Sequence, residues 1–261
     1  MTQAQLYQRP KYYDIAFRDR QPFGADTIET CFRDHAVFPV RRILEPGCGT
    51  GRMLLPLAVR NYNVIGYDLS SYMVCYTESR IRENGLADRA TVVQANMRTA
   101  RFPRTFDSAI NLDDTLRYLL TDDEMLVHFR NTARTLRPGG VYLVCVSSAW
   151  DDPHSDKWDP RWTVFEGDVH IRAKWDIEAQ DWKRKLSYEV CRLEIDDNGR
   201  RDVIEDKHIM RLLLLEDFVG LIRDSGCFEL EAVYDQYYHR VSTTEHISGE
   251  MDELMYVLKV L

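Results

Sequence analysis

A chain of 261 residues has room for one large domain, or for one domain carrying a sizeable insertion, and two full domains would be cramped. Hydrophobic residues at 44% and charged residues at 29% exclude a disordered or fibrous protein. A formal net charge of −8, with Lys and Arg interspersed among acids, makes a nucleic-acid backbone a poor partner and a small molecule the expected one. No apolar run reaches the roughly 20 residues of a membrane helix. The opening MTQAQLYQRPKYYD has neither the apolar core nor the small-residue site of a signal peptide, so the expectation is a cytoplasmic protein without a membrane partner, monomeric or homodimeric. Cys31, Cys48, Cys75, Cys145, Cys191 and Cys227 are scattered, with no C-x-x-C pair, and no H-E-x-x-H links the histidines. No metal is expected, and most thiols read as reduced core residues.

The first buried strand is VRRILE, residues 40–45. Three glycines within five residues follow, and Thr50 through Arg60 has the period of a helix opening straight from them, with Pro56 expected to kink it. YNVIGYD (62–68) predicts a second strand, and Ser70 the cap of a helix running through Arg82. RATVVQA (89–95) and FDSAINL (106–112) read as strands and Asp122 to Leu136 as a helix. Pro138-Gly139-Gly140 reads as a turn into a fifth strand, VYLVCV (141–146).

After Trp150 the period falls to two. WTVFEGDVHIRAKWDIE, KLSYEVCRLEI and RDVIEDKHIMRLLLL alternate, broken by EGD and DDNG turns, which predicts an antiparallel meander. Glu216 to Ser225 resumes helix, and FELEAVYDQYY and LMYVLKVL close the chain as two more strands. The fold class expected is α/β: a doubly wound, mostly parallel, Rossmann-like seven-stranded sheet with an inserted antiparallel β meander. The whole chain, 1–261, is then one domain, with an N-terminal helical segment at 1–38, a core at 39–150 and 215–261, and the insertion at 151–214.

The glycines stand in an E-x-G-x-G-x-G array: Glu45, Gly47, Gly49 and Gly51. A loop of this kind takes backbone angles closed to other residues and lets a ligand lie against its amides. The dinucleotide fingerprint G-x-G-x-x-G would need glycine at 52, where Arg52 stands. Asp68 ends the second strand, where a carboxylate can accept hydrogen bonds from both hydroxyls of a ribose.

With these motifs the chain resembles the class I S-adenosylmethionine-dependent methyltransferases, from about Tyr12 to the C-terminus. ILEPGCGTGR is similar to that family's first motif, YDLS carries the ribose-binding acid, and VVQANM resembles the third-strand motif in which an Asp commonly binds the adenine amino group. Here that position is Asn96, an amide that can still accept through its oxygen. INLDDTLRYLL resembles the segment lining the methyl site, and LRPGGVYLV the turn into strand five. The resemblance implies S-adenosylmethionine as cofactor and S-adenosylhomocysteine as its product. It places Glu45, Gly47, Cys48, Gly49, Gly51 and Arg52 along the methionine part, Asp68 on the ribose, Leu69 beside the adenine, and Met73, Asn96, Met97, Asn111 and Leu112 among the remaining contacts. Tyr13, in KYYDIAF, belongs to an N-terminal aromatic segment that by the same resemblance folds over the cofactor.

Methyl transfer from a sulfonium is an in-line displacement, so the protein mainly positions the nucleophile and keeps water out. A neutral amine needs positioning alone, whereas a hydroxyl wants a carboxylate or His nearby. Asp113 is the first candidate for base or substrate contact, the alternative being a loop acid capping the next helix. The Asp/Asn-Pro-Pro-Tyr run of methyltransferases acting on glutamine or nucleobase nitrogens is missing, which leaves an O or N atom of a small molecule. Tyr12 is expected at the substrate. The insertion is expected either as a lid over the acceptor, with Arg172 and Arg211 as anchors, or as a dimer interface. None of the seven histidines is expected to be catalytic. Two other functions compete: a nicotinamide-dependent oxidoreductase, which Arg52 in place of the third fingerprint glycine opposes, and a protein that binds S-adenosylmethionine without turnover.

Overall fold

The computed structural model describes residues 5–21, 23–148, 161–242 and 252–261. Three helices come first: α1 (Gln5–Gln8), α2 (Pro10–Phe17) and α3 (Ala25–His35). Then β1 (Arg42–Pro46), α4 (Leu54–Val59), β2 (Asn63–Asp68), α5 (Ser71–Glu83), β3 (Ala90–Gln94), β4 (Phe106–Asn111), α6 (Asp122–Thr135) and β5 (Leu136–Ser148) alternate strand and helix. β6 (Arg161–Glu166), β7 (Val169–Asp181), β8 (Leu186–Asp197) and β9 (Arg200–Arg211) are consecutive strands, and α7 (Leu215–Ser225), β10 (Phe228–Tyr234) and β11 (Asp252–Val260) complete the chain.

Seven strands form one sheet in the order β10-β11-β5-β4-β1-β2-β3. β1 to β5 are parallel, and β11 is antiparallel to both β5 and β10. β4 is buried at every residue, as a central strand covered on both faces must be. One face packs on α3 and α4 through Ile28, Phe32, Leu54 and Leu57, the other on α6 and α7 through Phe129, Phe218 and Ile222. The strand order reverses between β1 and β4, which opens a crevice at the carboxyl ends of the strands.

Two local expectations are corrected. The helix after the glycines begins at Leu54, not Thr50, so Pro56 falls in its first turn, where the absent N–H has no intrahelical partner to lose. Pro138-Gly139-Gly140 is an irregularity within β5 rather than a turn before it. Pairing shifts between Phe106 and Ser108 of β4, Gly139 adopts φ +80°, and a Cβ on Gly140 would lie 2.5 Å from the Asp107 carbonyl oxygen. Ser70 does cap α5, accepting from the Met73 amide. Cys31, Cys48, Cys145 and Cys191 are buried free thiols.

The meander is a second sheet, β6-β7-β8-β9, antiparallel throughout. Val169, Ile171, Ala173, Cys191, Leu193, Ile195 and Ile204 share its inner face and pack on Leu6, Ile15 and Ala16 of α1 and α2. A bulge between Ile177 and Ala179 shifts the parity of β7, so Gln180, not Ala179, sits opposite Ser187 of β8. Beyond the apolar patch the same inner face turns polar and aromatic, with Trp175, Ser187, Glu189 and His208.

Candidate cofactor and acceptor site

The glycine loop leaves β1 and is held tightly. The Cys48 amide donates to the Tyr67 carbonyl at 3.0 Å and the Gly51 amide to the Cys48 carbonyl at 2.9 Å. Gly47, Gly49 and Gly51 have φ of 65°, 52° and 76°, the left-handed region that glycine enters without penalty. A Cβ on Gly47 would stand 2.6 Å from Thr115 Cγ2, whereas around Gly49 the nearest atom is Tyr13 Cε1 at 4.0 Å. The floor over Gly49 is therefore the open part of the loop, and the Tyr13 ring faces it.

Asp68 ties this loop to β2. Its Oδ2 accepts the Gly49 amide at 2.9 Å and its Oδ1 the Ser70 amide at 2.8 Å. Burial pushes its pKa up, against the two amides that hold the charge. Glu45 and Asn111, at the carboxyl ends of β1 and β4, are both buried, and the Glu45 Oε2 and Asn111 Oδ1 atoms have no hydrogen-bond partner among the described residues. Asn111 Nδ2 is spent on the Pro46 carbonyl at 2.7 Å, which turns its oxygen to the other side. Burial pushes the Glu45 carboxyl up to about 8, with Arg52 opposing and Asp68 adding to the rise. Two orphaned acceptors beside a glycine loop suit a ligand that brings a cationic donor group.

Arg52 closes the loop from above. It pairs with Asp113, donates to the Phe17 carbonyl, and lies 3.4 Å from the Tyr13 hydroxyl with its guanidinium over that ring. Asp113 is therefore held by a cation rather than free. The N-terminal helix is fastened by Asp14, only 1% exposed, which accepts from Thr50 Oγ1, Arg80 and Arg18, each at 2.8 Å.

The other expected residues are more dispersed. Cys48 turns its thiol into the core against Gly66, so only its backbone faces the loop. Met73 and Leu112 are buried and Leu69 is 62% exposed at the end of β2. Asn96 spends its side-chain oxygen on the Arg98 amide at 2.9 Å, and Met97 brings its sulfur within 3.9 Å of Asn111 Nδ2. Tyr12 points to the far end of β8 and donates to Asp197 at 2.9 Å. Arg172 lies on the outward face of β7, 69% exposed beside Glu194, and Arg211 is buried, bonded to the Leu120 carbonyl and Asp122. Neither arginine joins the glycine loop.

What the sequence did not disclose is a second constellation, where the polar part of the inner face of the four-stranded sheet meets Arg117 and Tyr118, the 3-10 turn Thr115–Tyr118 after β4. Arg117 is 2% exposed and bonds to Glu189 at 2.6 Å, Asp114 at 2.8 Å and the Arg211 carbonyl at 2.7 Å. Glu189 also takes the Trp175 indole N–H at 2.6 Å. Burial raises the Glu189 pKa, but Arg117 and Trp175 outweigh it and hold the carboxyl below its usual range. Tyr118 links Tyr7 at 2.5 Å to His208 Nδ1 at 2.9 Å, and Trp175 stacks on the imidazole at 4.8 Å and 19°. One signal was available: Glu189 and His208 share strand parity with Cys191, Leu193 and Ile204, so they are polar residues on an apolar face.

Comparison with known proteins follows the same division. Residues 43–140 match the family described as "Methyltransferase domain". The matched part is a methyltransferase domain, and it holds the glycine loop and Asp68. It is 25% identical over 204 residues to a putative methyltransferase of Bacillus subtilis, YqeM, covering 74% of this chain and 75% of that one. A Streptomyces venezuelae dTDP-3-amino-3,4,6-trideoxy-alpha-D-glucopyranose N,N-dimethyltransferase is 29% identical over 102 residues, 39% of this chain and 40% of its own. The fold of this methyltransferase is also that of the crystal structure of Streptomyces venezuelae DesVI, with a TM-score of 0.76 at 18% identity over 99% of both chains. Among the described residues no helix is long and apolar enough to cross a membrane.

Proposed function

We propose that this methyltransferase methylates an amine nitrogen of a small molecule, with the acceptor entering between the N-terminal aromatic residues and the polar half of the four-stranded sheet. The observation that carries the reading is the glycine loop, open over Gly49 and tied to Asp68 at the switch point of a parallel sheet. S-adenosylmethionine supplies an electrophilic methyl group on a sulfonium. Gly47, Cys48 and Gly49 lie beneath its methionine part, and Asp68 takes the ribose hydroxyls. Glu45 Oε2 and Asn111 Oδ1 accept from the ammonium. Leu69, Met73, Met97 and Asn96 border the adenine. Arg52 holds Asp113 and Tyr13 over the loop and so keeps water from the reacting end.

An aromatic, acid-bearing surround favours a cationic group over an anionic one. Tyr7, Tyr13, Phe17, Tyr118 and Trp175 supply the rings, and the buried Arg117 is already neutralised by Asp114 and Glu189. The relative from Streptomyces venezuelae whose name gives an amino sugar as its substrate supports the same choice. In this reading the four-stranded sheet is a fixed wall of the acceptor pocket, and the protein acts on no nucleic acid.

The test has two steps. Calorimetry with S-adenosylhomocysteine and, in parallel, NAD should give binding to the first alone; tight NAD binding with no response to S-adenosylhomocysteine would sink the proposal. A methyl-transfer screen against amines and hydroxylated analogues of the same skeletons should then yield N-methyl products only.

A further inference from the structure

His208 is the least explained side chain of the pocket. It is 4% exposed, and its Nε2 has no partner among the described residues. Its Nδ1 meets the Tyr118 hydroxyl, which in turn meets the Tyr7 hydroxyl. Each phenol has a single proton to donate. If Tyr7 donates to Tyr118, Tyr118 must donate to Nδ1, and the imidazole proton is forced onto Nε2, where it finds no acceptor. A buried donor left unpaired is unfavourable, and a structural residue at this place would do better as an apolar ring. The order of the chain also has a direction. Tyr7 and Tyr118 are half-buried, the Tyr7 ring is 5.8 Å from Tyr13, whose Cε1 is the nearest atom to the open side of Gly49, and the buried His208 ends the series.

We infer that Tyr7, Tyr118 and His208 form a proton relay for the methyl-accepting amine, with His208 as the terminal base. The inference rests on the proposed function of the same site. An ammonium nitrogen at the cleft gives its proton to the Tyr7 oxygen as the Tyr7 proton passes to the Tyr118 oxygen and the Tyr118 proton to His208 Nδ1. Both phenols end neutral and the imidazole becomes imidazolium. The relay itself moves protons only, and the amine regains its lone pair; in the transfer that follows, the nitrogen–carbon bond would form as the carbon–sulfur bond breaks and its electron pair returns to sulfur, giving S-adenosylhomocysteine. The proton later returns to solvent by the reverse route once the product has left.

The groups facing His208 suit this cycle. Burial pushes its pKa down, so it waits neutral, while Asp206 and Glu189 pull the other way and lessen the penalty of the charged form. Glu189 is itself balanced by Arg117, and the stacked Trp175 face can take the imidazolium by cation–π attraction. Burial keeps the Tyr7 and Tyr118 pKa values high, so neither phenol lingers as an anion.

The probe is dTDP-3-amino-3,4,6-trideoxyglucose with S-adenosylmethionine, read as kcat and kcat/KM against pH for the wild type, Tyr118→Phe and His208→Gln. Calorimetry with S-adenosylhomocysteine and circular dichroism are run on each. The relay predicts that both substitutions lower kcat at pH 7 by about 10²- to 10⁴-fold, the usual scale of positioned acid–base catalysis. It also predicts recovery as pH approaches the amine's own pKa, because the acceptor then arrives neutral. Binding of S-adenosylhomocysteine should stay within about twofold of wild type. A purely structural role gives a loss that high pH does not restore, and that result overturns the relay. So does wild-type activity in both variants, or an absence of methyl transfer to the amine while S-adenosylhomocysteine still binds. If S-adenosylhomocysteine fails to bind the wild type, the underlying reading of the site fails instead. Should His208→Gln not fold, Tyr118→Phe decides alone.

Discussion

The seven-stranded and four-stranded sheets treat polar groups in opposite ways. At the crevice of the larger sheet, backbone geometry does most of the work: three left-handed glycines, an acid clamped by amides, and two buried acceptors, Glu45 and Asn111, unpartnered among the described residues. On the inner face of the smaller sheet, side chains from distant parts of the chain do it. Glu189, His208 and Trp175 meet Arg117, Tyr118 and Tyr7 across up to 201 residues, from Tyr7 to His208. The first arrangement is local and generic, fit for a cofactor of fixed shape. The second is long-range, and in the proposed reading it is where an acceptor is told from its analogues.

The contrast breaks most visibly at Arg117. Arg117→Met removes the guanidinium and leaves Glu189 charged and buried, so denaturation should show a loss of about 3–5 kcal/mol. Glu189→Gln in the same background should recover part of it. If Arg117→Met is tolerated without loss, the two sheets are not joined through this ion pair. Gly47→Ala comes next. A methyl there meets Thr115 Cγ2 at 2.6 Å and must hold φ of 65°, so overpacking of about 1–3 kcal/mol adds to a backbone penalty of about 1–2 kcal/mol. Adding Thr115→Ser should relieve the overpacking and leave the backbone part, seen as partial recovery in the same unfolding assay.

These two sites also show what a sequence can disclose. The glycine loop, Asp68 and the Ser70 cap follow from residues within one strand, turn and helix, so spacing alone reaches them. The seven-stranded fold follows from the alternation of periods, and the boundaries of β7, β8 and β9 from period two with its turns. The second constellation was hidden for a physical reason. Its partners are set by which face each strand turns inward and by the bulge at Ile177, and a one-residue change of register reverses every side chain. Arg172 and Arg211 illustrate this: they alternate on strands as expected, yet one faces outward and the other is bonded to Leu120 and Asp122.

Smaller effects sharpen the cofactor side. Asp68→Ala should weaken S-adenosylhomocysteine binding by about 1–3 kcal/mol by calorimetry, with the fold retained, because in the proposed reading the ribose hydroxyls lose their acceptor. Unchanged affinity in a folded variant removes Asp68 from the site. Glu45 gives a proton signature. In the free protein its carboxyl, raised to about 8, is largely protonated at pH 7, and an ammonium docked against Oε2 draws that proton off. Binding at pH 7 should therefore release close to one proton, visible as different apparent enthalpies in phosphate and Tris. The same shift fixes a stability trend. The folded pKa lies above the ordinary 4.5, so this group's contribution is complete below about 4.5 and is lost as pH rises through about 8. Glu45→Gln should flatten that decline in melting temperature and abolish the proton release.

The smallest expected effect bears on the orientation of the four-stranded sheet. Arg172 and Arg211 look alike in the sequence, as cations on strands of the insertion fit to anchor an acceptor. In the fold, Arg172 is an outward side chain on solvent, 3.9 Å from Glu194, and a pair so exposed contributes little. Arg172→Ala should shift the melting temperature by no more than about 2 °C and leave the KM for whichever amine the methyl-transfer screen yields as it was. Arg211→Ala should do more, because it frees the Leu120 carbonyl and Asp122 where β9 meets the start of α6. The pair thus separates the two faces without touching the cofactor. A raised acceptor KM in a stable Arg172→Ala protein would mean that the outer face meets the substrate, and the pocket built around Trp175, Glu189 and His208 would then have to be given up.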